Sequence, residues 1–68
     1  PEIKQSPKPS TKEIILENAV PVFAEKGYRA STCTEISQRA GANIAAINYH
    51  FGSKEKLYRL SLRRAFEL

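Results

Sequence analysis

Aspartate is absent from this chain, cysteine and histidine occur once each, and all seven acidic residues are glutamate. Those shortages leave no material for a Ser-His-Asp triad, an aspartic dyad or a Cys/His zinc cluster, so no enzyme activity, metal or cofactor is expected. The lone thiol of Cys33 also excludes an internal disulfide. No apolar run approaches the ~18 residues that a membrane-spanning helix needs, and no signal-like segment is present, which predicts a cytoplasmic protein without a membrane partner. Length is scarce too. A chain of 68 residues buries only about 60 % of the surface its unfolded form exposes, so it needs efficient helices or a partner. These exclusions leave a binding module.

Positive charge is what the chain does have. Eleven Lys and Arg against seven Glu give a net charge of +4 and an isoelectric point near 9.5. Residues 1–25 carry three Lys against four Glu, whereas residues 26–68 carry eight Lys and Arg against three Glu, so the excess lies in the last two thirds. A compact basic domain of this kind suits a polyanion, and nucleic acid is the commonest one. The alternative is a helical protein-interaction module whose basic face meets an acidic partner.

The polar, proline-rich stretch PEIKQSPKP has no apolar period, and residues 1–9 are expected to form a flexible arm ahead of a folded domain at 10–68. Ser10 and Glu13 have capping-box spacing and open helix 1, in which Ile15, Ala19, Val22 and Phe23 recur at helical intervals until Gly27 ends the run. Pro21 interrupts this helix and predicts a kink, because it removes an amide donor and crowds the carbonyl four residues back. A second capping box at Thr32 and Glu35 opens helix 2, which Gly41 stops. Asn43 caps helix 3, IAAINYHF, and after Gly52 a fourth cap, Ser53, opens helix 4 at Lys54. No cap signal closes helix 4, so the amphipathic pattern through Leu68 is expected to be truncated there.

Two short helices joined by a glycine-containing turn, braced by a first helix, form a helix-turn-helix at about residues 33–52. At about 100° per residue, Ile47 and Phe51 share the core face of helix 3 with Ile44 alongside, while Ala45, Ala46 and Tyr49 point away, flanked by Asn48 and His50. Two alanines let the helix backbone approach base edges closely, and an alanine methyl can pack on a thymine methyl. Asn48 has the geometry to pair bidentately with adenine, and Tyr49 and His50 carry donors for phosphate. A metal role for His50 lacks companion ligands, a redox role for Cys33 is weaker than a plain first-turn position, and Tyr28 and Tyr58 are expected to pack.

The run from Thr11 to Tyr58 resembles the N-terminal DNA-binding domain of TetR-family transcriptional regulators. The text that carries the resemblance is ILENAVPVFAEKGY, STCTEISQRAG and INYHFGSKEKLY. The resemblance implies an all-α fold, a homeodomain-like three-helix helix-turn-helix bundle followed by the start of a fourth helix. It implies phosphate contacts from Thr32, Tyr49, His50 and Lys54, and base readout by Asn43, Ile44, Ala45, Ala46 and Asn48. It further implies a repressor that binds a palindromic double-stranded operator as a homodimer, with dimer contacts and a small-molecule effector site in a C-terminal domain outside this chain. Two positions depart from the family pattern: Ile44 stands where a polar or basic residue is frequent, and Pro21 where a helix former is usual.

Overall fold

The computed structural model describes residues 10–67, so the expected arm at 1–9 and the expected truncation at Leu68 lie outside the described residues. Within them the chain forms α1 (Thr11–Ala30), α2 (Cys33–Ala40), α3 (Ile44–Phe51) and α4 (Lys54–Phe66), with no strand. None of these helices is long and apolar enough to cross a membrane.

Each helix starts where a side chain satisfies one of the amide donors that a helix leaves unpaired at its first turn. The Ser10 hydroxyl accepts from the Glu13 amide at 3.2 Å while the Glu13 carboxylate accepts from the Ser10 amide at 3.2 Å, a complete capping box. Thr32 accepts from the Glu35 amide at 3.1 Å, and Ser53 from the Lys56 amide at 3.1 Å. The reciprocal half of the expected second box is not made. The Glu35 carboxylate instead accepts from the Lys26 ammonium of α1 at 2.8 Å, a charged partner in place of a backbone amide.

Gly27 is the one residue of α1 with non-helical dihedrals, at φ 81° and ψ 172°. The chain does not stop there in the left-handed helical conformation. It turns through a region that is essentially restricted to glycine and then continues as a short helical turn to Ala30. Ser31, fully buried, holds this turn: its single hydroxyl proton is donated to the Gly27 carbonyl at 2.6 Å, with the Val22 carbonyl a second acceptor within reach at 3.2 Å. At Pro21, where a kink is expected, the dihedrals stay helical and the residue lies exposed; the departure from helical dihedrals inside α1 is at Gly27. An exposed proline costs its hydrogen bond without disturbing the apolar stripe on the opposite side.

The core is assembled from one stripe of each helix. Ile15, Ala19, Val22 and Phe23 of α1 meet Ile36 of α2, Ile47 and Phe51 of α3, and Leu57 of α4, all buried. α1 packs most extensively on α4 and next on α2, so α4 joins the expected all-α helix-turn-helix arrangement as the fourth helix of the bundle. Two ion pairs tie α1 to its neighbours: Lys26 to Glu35 on α2, and Arg64 of α4 to Glu17 at 2.9 Å.

Candidate nucleic-acid interface

α3 is anchored by Ile47, fully buried, and Phe51, 2 % exposed, four residues apart on its inner face. That anchoring fixes the rotation of the helix and hence what it presents outward. Asn43, Ile44, Ala45, Asn48 and Tyr49 are exposed, with Tyr49 at 84 % the most open aromatic ring of the reading helix. Ile44 departs from its expected place beside the core. It is the first residue of α3, and 43 % of its surface is open. Ala46 departs in the other direction: expected to face away, it is half-buried and packs on the core cluster together with Ala42, four residues earlier. The methyl of Ala46 on α3, and that of Ala42 in the turn before it, pack against the core, so the outer face of α3 is narrower than an angular count around Ile47 and Phe51 indicates.

Asn43 carries a local duty. Its Oδ1 accepts from the Ala45 amide at 2.9 Å as the cap of α3, which leaves only its Nδ2 donors for a ligand. Asn48 is exposed, and its carboxamide makes no hydrogen bond among the described residues.

The residues expected at phosphates lie at or near helix ends. Thr32 is exposed at the N-terminus of α2, its oxygen used for capping and its hydroxyl proton free to donate outward. His50 is half-buried at the end of α3, edge-on to the Tyr49 ring. Lys54 occupies the first position of α4. Its ammonium lies 4.5 Å from the centre of the Tyr28 ring and donates a long 3.5 Å bond to the carbonyl of Arg29, three residues before Thr32. The start of α4 is thereby drawn to the α1–α2 turn. Glu35 and Glu55, the acids closest in sequence to Thr32 and Lys54, are both paired, to Lys26 at 2.8 Å and to Arg59 at 3.1 Å. Pairing mutes the negative charge that would repel a polyanion from these helix N-termini, whose free amides favour anions.

Tyr28 is the residue of this arrangement that the sequence did not single out for function. Nothing in local spacing joins it to Lys54; the link exists only because α1 and α4 meet. No cluster of three or more metal-ligating side chains occurs among the described residues. One apolar groove between α1 and α4 is lined by Val20, Phe23, Tyr58 and Leu62, with no cation in its lining.

Comparison with known proteins agrees with this geometry. Over 55 residues the chain is 38 % identical to the "Biofilm operon icaADBC HTH-type negative transcriptional regulator IcaR" of Staphylococcus epidermidis, a match covering 81 % of this chain and 30 % of that protein. The regulator of the same name from Staphylococcus aureus is 36 % identical over 56 residues, covering 82 % of this chain and 30 % of its own length. The chain thus spans about 30 % of the length of these curated relatives. The sequence profile described as "Bacterial regulatory proteins, tetR family" matches residues 15–60, which takes in the core stripe of α1, both helices of the helix-turn-helix and the start of α4. The chain belongs to the tetR family of bacterial regulatory proteins.

Proposed function

We propose that this chain is the sequence-specific, double-stranded DNA-binding head of a repressor. The observation that carries the reading is the division of α3 into an anchored inner face and an outer face free of long charged side chains. In this reading α3 enters the major groove. Asn48 pairs with adenine, Ile44 packs on a thymine methyl, Ala45 permits close approach, and the free Nδ2 of Asn43 donates to a base acceptor, with Ala46 at the margin of the face. Thr32, Tyr49, His50 and Lys54 hold flanking phosphates and set the register.

Repression is supported by the two staphylococcal relatives, which are named as negative regulators. Family membership supports a homodimer on a palindromic operator, held through a C-terminal domain that also takes a small-molecule effector. Two heads related by a two-fold axis would read half-sites about one helical turn, roughly 34 Å, apart, and linking them supplies the avidity that one head lacks.

The test is selection of duplexes from a randomised pool by the full-length protein, followed by titration against the selected palindrome and a scrambled control. The reading expects a preference for the palindrome that Asn48→Ala relaxes at particular base pairs. Equal binding of palindrome and scrambled duplex, or none to either at low salt, refutes it.

A further inference from the structure

Lysine is a flexible point charge that gives up side-chain freedom when it is held against a phosphate. A protein that restricts the side chain beforehand avoids part of that loss on binding. At Lys54 the restriction is visible. The ammonium lies over the face of Tyr28, 4.5 Å from the ring centre, and donates to the Arg29 carbonyl at 3.5 Å. The ring is itself held. Tyr28 meets Tyr58 of α4 edge-on, with centroids 4.9 Å apart, and Tyr58 meets the buried Phe23 in the same manner at 4.9 Å. A chain of three aromatic rings thus runs from the core to the ammonium, and Lys54 is only half-buried at its end. An ammonium has three donors. One is used by Arg29 and the ring takes one side of the charge, which leaves the remaining donors to point into solvent.

We propose that Tyr28 is a positioning residue for DNA binding: the face of its ring holds the Lys54 ammonium ready for a backbone phosphate at the junction of α1, α2 and α4. The assignment rests on the reading of Lys54 as a phosphate contact and adds a residue that touches no DNA itself. The ring acts through its electrons, since the negative face of an aromatic ring attracts a cation. Its hydroxyl has no part in the device, so Tyr28→Phe restores what Tyr28→Leu removes. Lys54→Arg is not equivalent, because a planar guanidinium stacks on the ring and presents its donors in a different direction.

The experiment measures the salt dependence of binding by the full-length protein to a palindromic duplex selected from a randomised pool. One phosphate contact contributes about 0.9 to the slope of log affinity against log salt, which is roughly a 3-fold to 4-fold change per head between 50 and 200 mM salt. Lys54→Ala should lower the slope by about that amount per head. Tyr28→Leu should lower it by about half as much or more, and Lys54→Ala should add little on top of Tyr28→Leu. To separate positioning from folding, phenylalanines carrying one, two and three fluorines are placed at position 28. These keep the ring's shape while draining its negative face, and affinity should fall stepwise in the Lys54 protein and stay level in the Lys54→Ala protein. A normal slope in Tyr28→Leu beside a lowered one in Lys54→Ala overturns the positioning role while leaving the phosphate contact intact. A normal slope in Lys54→Ala overturns the contact and the positioning role with it. An affinity that rises with fluorination also overturns the proposal, since it means that the ring competes with phosphate for the ammonium. Level affinity across the fluorinated series in the Lys54 protein does the same.

Discussion

Replacing Gly27 with alanine isolates a purely local backbone effect. Gly27 has φ 81° and ψ 172°, and a Cβ built there meets nothing within 4 Å. Packing therefore contributes nothing to the cost. What remains is the clash of an L side chain with its own backbone in a region that is essentially restricted to glycine, about 1–3 kcal/mol. Against it stands the entropy that alanine removes from the unfolded chain, about 0.4–1 kcal/mol. Taking the middle of each range, the net expectation is a loss of about 1.3 kcal/mol. For a domain of 68 residues that loss lowers the midpoint of thermal unfolding by roughly 5–10 °C, since each kcal/mol is worth about 4–8 °C at this size. Urea unfolding followed by circular dichroism reads the loss as a lower midpoint at unchanged slope.

D-Alanine at the same position, introduced by chemical synthesis, supplies the control. For a D-residue these dihedrals are the mirror image of ordinary extended backbone, and the exposed position leaves room for a methyl group. The strain disappears while the entropic gain remains, so the D-alanine protein should be more stable than the glycine protein by about 0.4–1 kcal/mol. An L-alanine protein as stable as the glycine one, or a D-alanine protein as weak as the L-alanine one, refutes the argument from backbone strain. The turn matters for function because it precedes Tyr28 and Arg29 directly and so directs both toward Lys54.

Other substitutions test the packing and the charges. Ser31→Ala deletes a buried hydroxyl that donates to the Gly27 carbonyl, with that of Val22 within reach, and should cost about 0.5–1.5 kcal/mol, measured by urea unfolding; the Ser31 amide still serves Gly27. Ala46→Leu overfills a half-buried site and should cost about 1–3 kcal/mol of stability, whereas Ala45→Leu on the exposed face should leave stability within about 0.5 kcal/mol. In a DNA titration Ala45→Leu should nevertheless weaken binding, because it holds α3 away from base edges. The Glu17–Arg64 pair has side chains 54 % and 39 % exposed, so a double-mutant cycle should return less than about 1 kcal/mol of coupling, shrinking further with added salt.

Helix starts were legible in the sequence because capping is a local transaction. Ser10, Thr32, Asn43 and Ser53 each bond to an amide two or three residues ahead, and all four open helices. The core stripe was legible for a related reason: 3.6-residue periodicity carries Ile15, Ala19, Val22 and Phe23 to one face whatever they pack against. The all-α class and the helix-turn-helix follow from those two local rules. Other features depended on partners that no local rule names. Glu35 gave up its capping role to Lys26, nine residues back, because the bundle brings that ammonium to 2.8 Å. Ala46 turned inward because neighbouring structure closes on a second side of α3, a matter of interhelical distance rather than of α3's own periodicity.

The sequence by itself therefore determined the helices, their order, the main anchors that α1 and α3 each bury and the basic bias of the last two thirds, since short-range hydrogen bonding and helical geometry settle these within a few residues. Only the tertiary structure decided which charges are paired, how wide the outer face of α3 is, and that Tyr28 lies beneath Lys54. Those outcomes require chain segments far apart in sequence to meet, and their meeting is set by how the whole core packs.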